Sequence, residues 1–320
     1  MDFRLGAEQR ALCADTRRLL ARLWPGDAPG RAAALPAPVL DREVWRALGE
    51  AGFFALRLPE EAGGAGLGLL EAVLVFTEAG RVLLPGPLVG THLAAGALPG
   101  AARGEQAVAW LDGELVAWLD AADGVWCRGA PAPAAAVRAG AVPLRSVDPL
   151  TPLHRVPTRT PGPYDAVGAL LTAAEQLGSA ERTLALAVRH AREREQFGRP
   201  IGAFQAVKHL CADALVRTEL ARGALHAAAV LAGPATAAAS GSAGLAGPAG
   251  ADPVAVAGAK LLADDAAVRN ARDCLQVYGG MGFTWEAEVH LHLKRAWVRA
   301  RARPTAAQAE EVCAEALDTG

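Results

Sequence analysis

The sequence has few aromatic residues and almost no excess of either charge sign. Aromatic residues make up 5% of the 320 residues while alanine is abundant, which favours closely packed helices over a large sheet. The formal net charge is −2, so nucleic acid is not expected as the main partner. We find no apolar run long enough to span a bilayer and no signal-peptide pattern. We therefore expect a cytoplasmic protein with no membrane partner.

Cysteine and histidine are also sparse, and neither type has the spacing of a metal site. The five cysteines are Cys13, Cys127, Cys211, Cys274 and Cys313. None of them forms a Cys-x-x-Cys pair, which indicates reduced intracellular thiols and no disulfide framework. His290 and His292 stand two residues apart, so on a helix they face different directions and cannot share a metal ion. We predict that the protein holds no metal.

Apolar residues recur at helical spacing in the N-terminal part of the chain. The predicted helices cover residues 7–23, 41–51, 69–82 and 89–98. A stretch rich in proline, glycine and alanine at 25–38 is predicted to be a loop between the first two helices. Together these elements predict an N-terminal helical domain over residues 1–98.

The pattern changes in the middle of the chain, over residues 99–163. Short apolar stretches alternate there with Asp-Gly turns and prolines, which predicts short strands joined by turns and a reduced β-domain. Trp110, Trp118 and Trp126 lie in this segment. Core packing is the predicted role for each of these tryptophans.

Helical spacing returns after Asp165 and predicts an antiparallel helical bundle over residues 164–320. The predicted long helices cover residues 169–194, 204–231, 252–278 and 283–302. A connector rich in glycine, proline, serine and alanine is predicted at 233–251. A charged run is predicted to be a solvated helix face: Lys294, Arg295, Arg299, Arg301 and Arg303. The whole chain is thus predicted to be mainly α.

Two segments, 192–205 and 276–283, combine helix ends with glycines and with polar side chains. Glycines allow backbone N–H groups to approach phosphate oxygens, and an arginine offers a planar set of donors for pyrophosphate. The candidate cofactor-binding residues are Arg194, Gln196, Phe197, Gln205, Gln276, Gly279 and Gly280. Each segment taken alone is also compatible with a plain helix stop and restart.

The two segments share a longer motif with a known family. Its residues are Arg194, Gln196, Phe197, Gly198, Ile201, Phe204 and Gln205, then Gln276, Gly279, Gly280, Gly282 and Phe283. In the N-terminal part the corresponding residues are Trp45, Leu48, Gly52, Leu58, Pro59, Glu60, Glu61, Gly63, Gly64, Gly66, Glu78, Gly80 and Arg81. With these residues and spacings the chain resembles the acyl-CoA dehydrogenases at both ends, and it resembles them poorly in the middle.

The resemblance implies FAD as the cofactor and the oxidation of the Cα–Cβ bond of an acyl-CoA thioester. In that family a carboxylate removes the α proton, and it stands at one of two places. The matching positions here are Gly168 and Arg303, and neither is a carboxylate. Arginine cannot act as a base at neutral pH. Weak substitutes remain at Asp165, Glu175, Glu286 and Glu288, and the family's segments that contact the flavin ring are not recognisable.

The chain is similar to the short, non-catalytic subunit of actinobacterial heteromeric acyl-CoA dehydrogenases, several of which act on CoA esters of steroid side chains. This resemblance implies a subunit that supplies the pyrophosphate and adenine side of a shared FAD site. It further implies a catalytic partner in an α2β2 heterotetramer, the acyl-CoA substrate in that partner's site, and an electron-transfer flavoprotein as acceptor. A homo-oligomeric flavoenzyme with a substitute base, or a flavin-free structural partner, remains an alternative.

Overall fold

The computed structural model describes residues 4–157, 164–232 and 251–318, and helices dominate these ranges. The helices of the N-terminal part are α1 (Ala7–Leu23), α2 (Ala28–Ala33), α3 (Arg42–Glu50), α4 (Leu69–Arg81), α5 (Leu88–Ala94) and α6 (Pro99–Ala102). The prediction for α1 is confirmed to the residue. The loop prediction at 25–38 was wrong in part, because Pro29 in the first turn of α2 is a favourable helix start.

The middle of the chain forms a small sheet, as predicted. Its elements are β1 (Val108–Asp112), β2 (Leu115–Ala117), β3 (Gly124–Cys127), β4 (Ala130–Pro133), helix α7 (Ala134–Arg138), β5 (Val142–Leu144) and β6 (Leu153–Arg155). Within the described ranges the strand order is β4-β3-β1-β2-β6-β5. Strands β1 and β3 are parallel, whereas β2 is antiparallel to β1 and β6. Trp118 and Trp126 are buried in the core, as predicted.

The C-terminal part is a bundle of long helices. They are α8 (Ala166–Glu193), α9 (Gln205–Leu231), α10 (Pro253–Tyr278), α11 (Val289–Arg299) and α12 (Ala306–Asp318). Asp165 and Asp252 cap α8 and α10, because their carboxylates accept from the backbone N–H groups of Gly168 and Val254. The predicted connector at 233–251 lies outside the described residues except for Ala251.

One predicted helix was wrong at its start. The sequence predicts that this helix starts at residue 283, but α11 starts at Val289. A 3-10 turn at Gly279–Phe283 and an extended Thr284 lie between α10 and α11. Helices α8 and α11 run antiparallel, since Gln176 lies next to Ala296 and Ser179 next to His292. The domain limits at residues 98 and 163 stay predictions. No helix in the described ranges could cross a membrane.

Helices α4 and α8 approach each other closely and join the two helical parts. A Cβ atom added to Gly80 would collide with the backbone carbonyl of Glu175, and one added to Gly178 would collide with that of Thr77. The main hydrophobic cluster therefore continues from the N-terminal helices through α8 into α9 and α10. This packing fixes the first half of α8 against α4.

Candidate functional site

The first glycine segment is a β-hairpin that follows the end of α8, which the sequence had predicted only as a loop. Strand β7 (Glu195–Gln196) pairs with β8 (Arg199–Pro200), and the turn between them is Phe197-Gly198. Both turn residues have positive φ, 53° and 75°, as a tight two-residue hairpin requires. Positive φ is uncommon for a bulky residue, and residues held in this conformation cluster at functional sites. The signal in the sequence was Gly198, which favours this turn.

Phe197 projects from this hairpin into solvent. Its side chain is 91% exposed. The ring lies edge-on to Phe204 with centroids 6.0 Å apart, and the Arg199 guanidinium covers the Phe204 ring at 4.3 Å. The hairpin thus presents a flat apolar face beside positive charge.

The second glycine segment begins where α10 ends. Gly279 has a positive φ of 62°, and a Cβ atom at Gly279 or Gly280 would meet nothing within 4 Å. These two residues therefore present open backbone to the surface. Exposed apolar side chains follow directly: Met281, Phe283 and Trp285 are 46%, 77% and 67% exposed.

The fold brings the two segments to the same end of the bundle. His190, near the end of α8, stacks on Tyr278, at the end of α10, with ring centroids 4.1 Å apart. Ile201 and Tyr278 also pack against one small hydrophobic cluster that includes Leu186 and Leu275. Glycine backbone, amide groups and an aromatic face therefore lie on one surface, which we call the bundle-end surface.

All seven predicted cofactor-binding residues lie on the bundle-end surface and are exposed. They are Arg194, Gln196, Phe197, Gln205, Gln276, Gly279 and Gly280. Open glycine backbone, an exposed guanidinium and an exposed aromatic ring fit the pyrophosphate and adenine portions of FAD. Nothing in this set supplies a carboxylate base. The set therefore offers groups that can bind an anion and no group that could remove a proton.

The first position expected for a base, Gly168, has no room for a side chain. A Cβ atom there would lie 2.5 Å from the six-membered ring of Trp110. Trp110 comes from strand β1, so the sheet fills the space next to the start of α8. The predicted core-packing role of Trp110 thus has a specific location, although its side chain is only partly buried.

The second position where the family has its base is Arg303, and this arginine pairs with a carboxylate of the sheet, Asp112. The Arg303 backbone N–H donates to Asp112 Oδ2 at 2.6 Å, and its Nε donates to Oδ1 at 3.0 Å. Burial raises the pKa of Asp112, and its contacts with Arg303 oppose that shift. An ion pair therefore stands where a base is expected.

Three of the four carboxylates considered as substitute bases already make structural hydrogen bonds or ion pairs. Asp165 caps α8, Glu288 pairs with Arg182, and Glu175 accepts a hydrogen bond of 2.7 Å from Arg299. Burial raises the pKa of Glu175, while Arg299 and Arg295 oppose the shift. The fourth, Glu286, is exposed on the loop before α11.

Glu175 lines a cavity of about 510 Å³, which we call the interior cavity. It lies between the start of α5, strands β1, β2 and β6, helix α8 and the end of α11. Trp110 and Asp112 belong to its wall, whereas none of the seven bundle-end residues does. The interior cavity is therefore separate from the bundle-end surface.

The prediction of a solvated charged run was wrong for Arg295 and Arg299, and Arg303 of the same run is mostly shielded by its ion pair with Asp112. Arg295 and Arg299 are only 4% and 8% exposed. Arg295 pairs with the fully buried Asp148, and Arg299 pairs with Glu175. Burial lowers the pKa of Arg299 to about 10. The four-residue spacing between the two arginines could have indicated a shared face, but not one that is buried.

Two family models match the chain: the acyl-CoA dehydrogenase N-terminal domain over residues 6–113 and the acyl-CoA dehydrogenase C-terminal domain over 166–317. The chain belongs to the acyl-CoA dehydrogenase family, whose cofactor is FAD.

Known proteins of similar sequence and structure support the assignment to this family. The acyl-CoA dehydrogenase IpdE2 of Mycobacterium tuberculosis is 37% identical over 309 residues, which cover 90% of this chain and 91% of IpdE2. A chain of the ChsE4-ChsE5 complex from Mycobacterium tuberculosis has a TM-score of 0.80 at 24% identity over 100% of both chains. A variant of the Tcur3481-Tcur3483 steroid ACAD has a TM-score of 0.79 at 24% identity over 99% of each chain. The two structures share the fold.

Proposed function

We propose that this chain is the non-catalytic subunit of a heteromeric acyl-CoA dehydrogenase. In this proposal it supplies the pyrophosphate and adenine side of an FAD site that is completed by a catalytic partner chain. The observation that carries the proposal is that the residues suited to the cofactor and the two base positions lie in different parts of the molecule. The residues suited to the cofactor lie exposed on the bundle-end surface, while Trp110 and Asp112 occupy the surroundings of both base positions.

The reaction of the proposed complex is the α,β-dehydrogenation of an acyl-CoA thioester, with an electron-transfer flavoprotein as acceptor. FAD supplies the electron acceptor within the site. The names of the structural relatives favour a heteromeric assembly, for which we propose α2β2, and a CoA ester of a steroid side chain as the substrate in the partner's site. The segments 1–98, 99–163 and 164–320 are the proposed domains.

Each residue of the bundle-end surface has a proposed role. Arg194 pairs with the pyrophosphate, and the backbone N–H groups of Gly279 and Gly280 approach its oxygens. Phe197 packs against a ring of the cofactor, supported by the edge contact with Phe204. The amides, which can donate and accept, are Gln196, Gln205 and Gln276.

The first test is the visible absorption spectrum of the chain purified alone and after co-expression with a full-length acyl-CoA dehydrogenase encoded beside it. We expect a colourless protein alone and a yellow complex. A yellow protein from this chain alone contradicts the shared site and supports a homo-oligomeric flavoenzyme. A stable but colourless complex supports the flavin-free structural partner instead.

The second test replaces one residue. Arg194→Ala removes the charge partner of a buried pyrophosphate, a loss worth about 2–4 kcal/mol, so the purified complex should lose most of its flavin. Arg269→Ala is the matched control, because Arg269 is an exposed arginine paired with Asp265 on α10. Equal flavin content in the two variants contradicts the proposed role of Arg194.

A further inference from the structure

We propose that two buried residues of the N-terminal part, Arg57 and His92, hold a small monovalent anion of the size of chloride. Arg57 lies in the connection between α3 and α4, and His92 lies on α5. Neither residue lines the interior cavity, and neither belongs to the bundle-end surface. The inference therefore does not depend on the proposed flavin site.

Arg57 is a buried arginine without a hydrogen-bond partner in the described ranges. The residue is 2% exposed, and Nε and both terminal nitrogens of its guanidinium lack a partner there. Burial lowers the pKa of Arg57, and the charge of Asp165 opposes this shift. The guanidinium nevertheless stays protonated at neutral pH and carries five N–H donors. A charge in the protein interior is strongly destabilising unless an opposite charge pairs with it.

His92 is a second buried side chain whose nitrogens have no hydrogen-bond partner in the described part of the chain. It is fully buried, and the carbonyls of Phe53 and Phe54 lie near its ring but outside hydrogen-bond geometry. Burial and the nearby charge of Arg57 lower the pKa of His92 to about 3. The imidazole is therefore neutral at pH 7 and offers one N–H donor. The two residues thus place unpaired donors close together in the core.

Few carboxylates are available to balance the charge of Arg57. Asp165 is near enough to influence its pKa, but Asp165 caps α8 and accepts no hydrogen bond from the guanidinium. Glu60 and Glu61 follow in the chain and are exposed. Outside the described ranges the sequence has one acidic side chain, Asp2. This shortage favours an anion from outside the chain.

The surroundings favour an ion of atomic size. Ala55, Leu58 and Ala95 form a small hydrophobic cluster next to the two residues in the sequence. Phe76 packs edge-on against the ring of His92, with centroids 5.4 Å apart. These side chains supply no acceptor, and an apolar environment strengthens the attraction between a guanidinium and an anion. A water molecule could accept hydrogen bonds here, but it could not neutralise the charge.

The first test measures urea denaturation of the full chain at pH 7 while sodium chloride replaces sodium gluconate at constant ionic strength, which keeps charge screening equal. We expect stability to rise with chloride. Each tenfold increase above the dissociation constant should raise the ratio of folded to unfolded protein tenfold, or by about 1.4 kcal/mol. No chloride dependence overturns the proposal, because water or a carboxylate of the chain then satisfies Arg57. The test needs neither flavin nor a partner chain, so its failure is separate from failure of the proposed function.

A pair of variants locates the effect. Arg57→Met removes the buried charge and keeps a long apolar side chain, so it should abolish the chloride dependence and be at least as stable as the wild type in gluconate. Arg46→Met, at an exposed arginine of α3, is the matched control and should keep the dependence. A chloride dependence that persists in Arg57→Met, or that disappears in both variants, overturns the assignment.

Crystals of the wild type grown in sodium bromide test the site without any substitution. Bromide can replace chloride and is located by its anomalous scattering, and we expect a peak in contact with the guanidinium of Arg57 and the ring of His92. The absence of a peak there overturns the proposal. A peak without an effect of chloride on stability would mean binding at crystal concentration only, and it also overturns the proposal.

Discussion

The indole ring of Trp110 occupies the space that a side chain at position 168 would need. A Cβ atom on Gly168 would lie 2.5 Å from this ring, closer than real Cβ contacts. A glutamate at this position would therefore have to displace Trp110 from between the sheet and α8. The glycine at position 168 and the placement of Trp110 therefore depend on each other, and the cost of adding a side chain at this position can be measured as a change in stability.

Gly168→Ala should lower the free energy of unfolding by about 1–3 kcal/mol, because overpacking outweighs the gain in helix propensity. Urea denaturation followed by circular dichroism measures the change. Gly258→Ala in α10 is the control, since a Cβ atom there meets nothing within 4 Å, and it should be neutral or stabilising. In a Trp110→Ala background the cost of Gly168→Ala should largely disappear. An unchanged cost in that background contradicts the clash.

Substitutions of Arg295 and of Arg301 should have very different effects on the free energy of unfolding. Arg295→Met leaves the buried carboxylate of Asp148 without its ion-pair partner, so we expect a loss of about 3–5 kcal/mol in the free energy of unfolding. Arg301→Met changes an exposed residue of the same run, and its effect should stay within about 0.5 kcal/mol. Chemical denaturation of both variants measures this difference, and equal effects would show that Arg295 is solvated.

Acid should destabilise the protein partly through His92. Burial, with the nearby charge of Arg57, lowers the pKa of His92 to about 3 from an ordinary 6.5. The unfolded chain then binds more protons than the folded one between these pH values. The stabilising contribution is therefore complete above pH 6.5 and is lost as the pH falls towards 3, by up to about 1.4 kcal/mol per pH unit.

The measurement is urea denaturation at pH 7 and pH 5. His92→Phe should lose less stability between the two pH values than the wild type does, because the titrating group is gone. His209→Phe is the control at an exposed histidine and should keep the wild-type pH dependence. If His92→Phe shows the same pH dependence as the wild type, His92 does not contribute to acid sensitivity.

Trp285 should report assembly with the proposed partner. Its side chain is 67% exposed, its ring lies edge-on to His290 at 4.8 Å, and Lys294 Nζ lies 4.5 Å from its centroid. If the bundle-end surface is covered in the complex, tryptophan emission should shift to shorter wavelength on mixing. Trp285→Phe should remove the shift, while Trp297→Phe, in the lining of the interior cavity, should keep it. An equal shift in Trp285→Phe places the contact elsewhere.

Local patterns in the sequence determine much of the fold. The apolar spacing of residues 7–23 and the Asp252-Pro253 start signal each predicted a helix correctly, because amphipathicity and capping act within a few residues. The exposure of Phe197 and the hairpin around it were not predicted. A turn with two positive φ values depends on how the chain returns from α8 to α9, which spacing alone does not specify.

The sequence by itself determined the helical class, the family and the absence of a carboxylate at positions 168 and 303, since these follow from residue identity and local spacing. Only the tertiary structure decided which charges are buried. Arg295 meets Asp148 across 147 positions of sequence, and Arg299 meets Glu175 across 124. Such pairs form only when distant helices and strands pack together, and the packing then decides which arginines are buried in ion pairs and which, like Arg155, stay exposed.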